Sequence, residues 1–230
     1  MFDLSAQLRP KLSVSTCIRG FYAVLDRDDE TLAQQLVSLD HAGARVLQVR
    51  LKMASPQQLR ATAVMARRIT QLHGAALIIN DDITLALQIG AEGVHLGQTD
   101  IPIMAAREQS MAYRAGLAAD VAANLAPFWI GISTHTPSQV INACKAGANY
   151  IGCGPVYATT TKTNPDPVIG LQGLQAACRL ATVPVVAIGG ITAPHATAVY
   201  GAGAAAICAI SAVNNSADIS QAARLFARPV

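Results

Sequence analysis

From Gly20 onward one unit recurs eight times: a short apolar run rich in β-branched residues, a polar turn, then a longer stretch of helical periodicity. The runs are Phe21–Asp26, Val46–Lys52, Ala76–Asn80, Gly93–Gly97, Trp129–Ser133, Tyr150–Val156, Val183–Gly189 and Ala205–Ser211. Helical patterns between them include Glu30–His41, Pro56–Leu72 and Ser138–Ala146. Strict alternation of strand and helix requires a parallel sheet, because each crossover returns the chain to the same edge. Eight such units within 230 residues predict an α/β fold of one kind, a single (β/α)8 TIM barrel, and not an open doubly wound sheet. Residues 1–19 are expected to form a short N-terminal extension closing the base, and residues 20–230 the barrel.

A finer repeat agrees. Ala42-Gly43-Ala44, Ile89-Gly90-Ala91, Ala146-Gly147-Ala148 and Ala202-Gly203-Ala204 each precede an even-numbered run, at intervals of roughly 50 residues, or two βα units. Glycine there is expected to end the preceding helix in a left-handed conformation and turn the chain into the strand. The connection from Met104 to Pro127 is long for one helix, and Gly116 predicts a break within it.

Composition narrows the function classes. Hydrophobic residues make up 52% of the chain and aromatics only 4%, so the core must be aliphatic, as parallel strands buried on both faces need. The net charge of +3 is spread without a basic run, which excludes a general nucleic-acid binder. No apolar run approaches the about 20 residues of a membrane span, and the first ten residues carry no secretory apolar region, so the cytoplasm is the expected location. The five cysteines lack CxxC spacing and read as reduced, mostly buried thiols, not as a disulfide frame or zinc site.

Barrel sites form at the C-terminal strand ends, from the βα loops. The polar residues at those positions are Gln48, Arg50 and Lys52; Asn80, Asp81 and Asp82; His95, Gln98 and Asp100; Ser133 and His135; Thr159-Thr160-Thr161-Lys162; Gly189 and Gly190; and Ser211. Gln48, Arg50 and Lys52 alternate with Val49 and Leu51 and so share one side of the strand. A fork-shaped donor beside a point charge suits phosphate or pyrophosphate, although a strand end whose cations merely reach solvent would use the same residues. Asp81 and Asp100 end neighbouring strands, and two close carboxylates need a proton or cation between them. With a polyanion nearby Mg²⁺ is the natural bridge, while Asp82 is better read as a helix cap. The Gly189-Gly190 turn and Ile210-Ser211 follow strands 7 and 8, where barrels commonly hold phosphate. His95 reads as a core histidine, and His135, nearer the rim, could act as a general base.

Taken in order, these segments resemble the thiamin phosphate synthase family across residues 20–225: Gln48-Val49-Arg50-Leu51-Lys52, Ile79-Asn80-Asp81, Gly93 to Asp100, Gly131-Ile132-Ser133, Gly154 to Tyr157 with Thr159 and Thr161-Lys162, Ile188 to Ile191, and Ile210-Ser211. The resemblance implies a Mg²⁺-dependent transferase. It would join a hydroxymethylpyrimidine pyrophosphate to a thiazole phosphate, releasing pyrophosphate and thiamin phosphate by a dissociative route. It implies that Arg50, Lys52, Asn80 and Lys162 hold the pyrophosphate with Ser133 alongside, and that Asp81 and Asp100 bind Mg²⁺. Gln48 would contact the pyrimidine, and Thr159, Thr161, Gly190, Ile210 and Ser211 the thiazole phosphate. Two departures touch no charge: Val49 stands where the family usually has an aromatic residue, and Ala158 where it often has proline. A thiazole tautomerase-like barrel would lack the paired carboxylates and the Thr-x-Thr-Lys loop, and a non-catalytic precursor-binding barrel would form no product. The partners are small phosphorylated molecules, and a homo-oligomer is left open.

Overall fold

The computed structural model describes residues 12–37, 44–159 and 166–227. Its strands are β1 (Gly20–Phe21), β2 (Ala23–Leu25), β3 (Val46–Val49), β4 (Ala76–Asn80), β5 (Gly93–Leu96), β6 (Trp129–Thr134), β7 (Tyr150–Cys153), β8 (Val185–Ile188) and β9 (Ala206–Cys208). All pair in parallel, in the order β1-β9-β8-β7-β6-β5-β4-β3-β2. The two ends of that order are halves of one run. β1 aligns Gly20 with Ala206, β2 aligns Ala23 with Leu47, and the Tyr22 N–H between them donates to the Ile207 carbonyl at 2.9 Å. The sheet therefore returns on itself as a (β/α)8 barrel, its first strand divided at Tyr22.

Several strands stop earlier than their sequence runs. The run from Val46 was expected to continue to Lys52, but the ladder ends at Val49, and the Arg50 N–H donates to Leu25 at 2.9 Å before the chain turns. Lys52 thus lies in the turn, outside the alternation that relates Gln48 to Arg50. Likewise the run from Ala205 ends at Cys208, and Ile210 and Ser211 open a short helix instead.

The helices are α1 (Val14–Cys17), α2 (Glu30–Val37), α3 (Pro56–His73), α4 (Ile83–Gln88), α5 (Ile103–Ala115), α6 (Ala119–Asn124), α7 (Pro137–Lys145), α8 (Gly170–Leu180), α9 (Ala196–Gly201), α10 (Ile210–Asn214) and α11 (Ile219–Arg224). Their starts follow local chemistry. Ser55 with Gln58, and Thr136 with Gln139, form capping boxes, each with proline in the first turn. Gly116 ends α5 and separates it from α6, as its position in the long connection predicts. Gly90, Gly147 and Gly203 take φ of 66°, 83° and 104°, the left-handed turn expected of the repeat. Gly43, the remaining member, lies outside the described residues. No described helix is long and apolar enough to cross a membrane.

Alternation along the strands divides the apolar residues into two layers. Ala23, Leu47, Leu77, Ile79, Val94, Ile130, Ile151, Ala187 and Ile207 face the helices. Tyr22, Val24, Val46, Ala76, Ile78, Trp129, Tyr150, Val186, Ala206 and Cys208 fill the interior, joined by Cys17 at the end of α1 and by Ile18. The interior admits Tyr150 because residue 131 is glycine: a Cβ there would overlap the Tyr150 ring at Cζ and Oη. At the barrel's other end the buried Arg67 of α3 donates to both carboxylate oxygens of Glu92, at 2.9 and 3.0 Å, and Glu92 also accepts from the Leu77 N–H at 2.7 Å. Removing one partner of a buried pair leaves the other charge uncompensated. Glu92→Ala should therefore lower the unfolding free energy by about 3–5 kcal/mol, read as a fall in the urea midpoint, with Glu92→Gln recovering part of the loss.

Candidate active site

The C-terminal ends of the strands open into a cleft of two compartments. A cavity of about 180 Å³ over the barrel axis is lined by Gln48, Arg50, Asn80, His95, Ser133, His135, Thr159, Asp166, Gly190, Ile210 and Ser211. A wider one of about 620 Å³ is lined by Arg50, Lys52, Asn80, Asp81, Asp82, Ile101 and Gln109. Arg50 and Asn80 belong to both and mark where the two meet. Arg50 is half-buried, and its guanidinium forms no hydrogen bond or salt bridge with any described residue. A guanidinium withdrawn from water with its five donors unspent is prepared for an anion.

A row of hydrogen bonds crosses this meeting point. The buried Gln48 donates through Nε2 to Asn80 Oδ1 at 2.8 Å, and Asn80 in turn bonds the Asp81 carboxylate. Asp81 is the one non-glycine residue with positive φ, 63°, among the described residues. Such a conformation costs a non-glycine residue of order 1–3 kcal/mol and collects at functional sites. Its carboxyl group hydrogen-bonds that of Asp100, whose Oδ2 is itself fixed by the Gly97 N–H at 2.6 Å. Burial, then the Asp100 contact and charge, raise Asp81 from 3.8 to about 6, against the opposing charge of Arg50. Asp82 caps α4 through the Leu85 N–H at 2.8 Å, the helix-capping role read from its position.

The opposite side is set by backbone. Gly189 and Gly190 have φ of 99° and 61°. A Cβ at Gly190 would strike the Ala158 carbonyl, so the turn after β8 lies directly against the loop carrying Thr159. Val156 and Tyr157 N–H groups donate to Ile188 and Gly189, each at 2.9 Å, and the Tyr157 ring stacks on His195 at 3.9 Å. The Gly190 N–H has no backbone acceptor among the described residues, and Gly190 lines the cavity. Thr161 and Lys162 lie outside the described residues.

Two histidines stand at the rim. For His135, a candidate general base by its position in the sequence, Nδ1 lies 2.6 Å from the Gly154 carbonyl and Nε2 3.3 Å from Asp166, so both ring nitrogens are engaged. Asp166 carried no sequence signal, because its pairing depends on how the loop after β7 returns to the rim. His95 is partly buried and lines the cavity, with Nε2 3.0 Å from Ser133 Oγ and Nδ1 3.1 Å from Tyr150 Oη. Burial, then the charge of Arg50, lower it to about 4, so the ring is neutral. Tyr150 and Tyr22 were missed altogether, since a tyrosine mid-strand carries only the signal of a core residue.

A closed parallel barrel whose C-terminal rim gathers an unpaired arginine, adjacent carboxylates and a diglycine turn is an α/β-barrel enzyme built for small anionic substrates. The sequence profile described as thiamine monophosphate synthase matches residues 21–213. A thiamine-phosphate synthase of Chloroflexus aurantiacus is 39% identical over 79% of this chain and 77% of its own. One from Methanospirillum hungatei is 40% identical over 80% and 83%. The solved thiamine phosphate pyrophosphorylase of Pyrococcus furiosus superposes with a TM-score of 0.75 at 30% identity, covering 91% of this chain and 94% of that one. The chain belongs to the thiamine monophosphate synthase family.

The Asp81–Asp100 contact has a pH consequence. Between pH 3.8 and about 6 the folded state holds more protons than the unfolded, so this pair's contribution to stability falls as pH rises through that window. Asparagine tolerates the left-handed conformation and removes the charge. Thermal midpoints of wild type minus Asp81→Asn should therefore decline from pH 4 toward pH 7.

Proposed function

We infer that this chain joins 4-amino-2-methyl-5-hydroxymethylpyrimidine pyrophosphate to 4-methyl-5-(2-hydroxyethyl)thiazole phosphate, giving thiamin phosphate and pyrophosphate. Family membership supports the reaction. The observation that carries the site assignment is Arg50, half-buried, unpaired and shared by both compartments of the cleft.

On this reading Arg50, Lys52 and Asn80, with Lys162 from the loop after β7, hold the pyrophosphate, and Ser133 donates to it. Gln48 contacts the pyrimidine. Thr159, Thr161, Gly190, Ile210 and Ser211 hold the thiazole phosphate across the cavity. Asp81 and Asp100 fit Mg²⁺: they face each other closely enough to share a proton, and a cation relieves that repulsion. No group of three or more His, Cys, Asp or Glu gathers among the described residues, which leaves most coordination positions to phosphate oxygens and water, as Mg²⁺ prefers. When bound, Mg²⁺ supplies positive charge to the pyrophosphate oxygens and lowers the cost of their departure.

The bond from the pyrimidine methylene carbon to pyrophosphate oxygen breaks with its electron pair leaving on oxygen. The aminopyrimidine shares the resulting positive charge, and the thiazole nitrogen lone pair forms the new bond to the methylene carbon. The chain's part is to stabilise the leaving anion and to hold the thiazole nitrogen in line. No side-chain nucleophile is required, which agrees with the engagement of both His135 nitrogens and the neutrality of His95.

Incubation with both precursors and Mg²⁺ should yield thiamin phosphate and pyrophosphate in equal amounts, with none when either precursor is omitted; absence of product with both present overturns the reading. Arg50→Ala should raise KM for the pyrimidine, and Thr159→Ala for the thiazole phosphate, each by about ten- to a hundredfold. Both variants acting on the same substrate would overturn the two-ended map. In Asp100→Asn the side chain retains an oxygen for the Gly97 N–H but loses its charge, so kcat/KM should collapse while the urea midpoint stays near wild type.

A further inference from the structure

A chain of hydrogen bonds runs through the barrel interior and ends at the active-site cavity. Tyr22 Oη lies 2.9 Å from Tyr150 Oη, Tyr150 Oη lies 3.1 Å from His95 Nδ1, and His95 Nε2 lies 3.0 Å from Ser133 Oγ. Tyr22 and Tyr150 are buried, while His95 and Ser133 border the cavity. We propose that Tyr22, Tyr150 and His95 are positioning residues whose hydrogen-bond polarity turns the Ser133 hydroxyl hydrogen outward, making Ser133 a dedicated donor to a phosphate oxygen of the bound substrate. This rests on the reading that the cavity holds a phosphorylated substrate.

The polarity follows from counting hydrogens. The buried Tyr22 hydroxyl has no hydrogen-bond partner among the described residues other than Tyr150 Oη. Leaving its hydrogen without an acceptor would incur the full desolvation cost of a buried donor. Tyr22 therefore donates and Tyr150 accepts. Tyr150 must then place its own hydrogen, and His95 Nδ1 is its remaining polar neighbour. Nδ1 accordingly accepts and carries no proton. A neutral imidazole has one N–H, which falls to Nε2 and is donated to Ser133 Oγ. The serine hydrogen is left over and faces the cavity.

The reverse polarity strands the Tyr22 hydrogen and spends the Ser133 hydrogen on His95. The serine would then present only lone pairs to a phosphate. A further observation holds the chain in place: the rings are confined, since a Cβ at Gly131 would overlap Tyr150, and one at Gly152 would lie 3.3 Å from His95 Cε1. The arrangement is the opposite of a nucleophilic serine, in which histidine accepts the hydroxyl proton. Here the ring donates to the oxygen, and the serine serves the departing anion as a fixed dipole.

The wild-type protein tests this without mutation. Nitrogen-15 NMR of histidine-labelled protein, with His95 assigned through His95→Gln, should show a neutral Nε2–H ring from pH 5.5 to 8.5; an Nδ1–H ring or a cation overturns the proposal. A double-mutant cycle supplies the functional arm. Ser133→Ala should lower kcat by about a hundredfold. Tyr150→Phe, which keeps the ring but removes the link, should lower it roughly tenfold, as for one weakened hydrogen bond, and should cost nothing further in the Ser133→Ala background. Equal losses from Tyr150→Phe in both backgrounds, or wild-type kcat in Ser133→Ala, would overturn the proposal. Failure of the wild-type protein to form thiamin phosphate would instead overturn the function reading, and the ring tautomer would still decide the polarity.

Discussion

Closing eight strands around an axis encloses polar groups as well as apolar ones, and each enclosed polar group must find a partner inside. In this barrel that requirement falls on Tyr22, Tyr150, His95 and Gln48, which lie on four different strands or strand junctions. The room for them is made by glycine. Gly131 admits the Tyr150 ring, and Gly152 lies against His95. An alanine at position 131 would displace Tyr150 and with it the partner of both Tyr22 and His95. Packing and polar satisfaction are thus one constraint, and the location of Ser133 depends on it.

Above this filled interior the rim is held by short, rigid pieces of backbone. Arg50 is anchored by its own N–H on Leu25, one residue beyond the end of its strand. The Thr159 loop is pressed onto the diglycine turn by two backbone hydrogen bonds and by the absence of a Cβ at Gly190. Opposite them, Gln48, Asn80, Asp81 and Asp100 form a row in which each member orients the next. The cleft therefore has a cationic and carboxylate side and a backbone-amide side facing each other, an arrangement suited to two anionic reactants held in line.

Much of this was legible in the sequence. The eightfold alternation led to the barrel, the phased glycines to the helix ends, and Gly116 to the break between α5 and α6. Rim residues could be picked out because a strand's last residues point toward the loops. The errors came where pairing with a neighbour overrides periodicity. Alternation placed Lys52 beside Gln48 and Arg50, but the partner strand β2 ends at Leu25 and the ladder stops with it. Ser211 was read as a strand end and opens a helix.

By itself the sequence determined the class of fold, the end of the barrel that carries chemistry, and the residue types gathered there, because each is written in local period and local turn chemistry. The tertiary structure alone decided which of those groups meet. Tyr22 and Tyr150 are 128 positions apart, and His95 and Ser133 are 38 apart, so no local pattern relates them. Barrel closure sets the register that brings them within hydrogen-bonding distance. The raised pKa of Asp81, the neutrality of His95 and the engagement of His135 follow from that register, since burial and neighbouring charge exist only once the chain has closed.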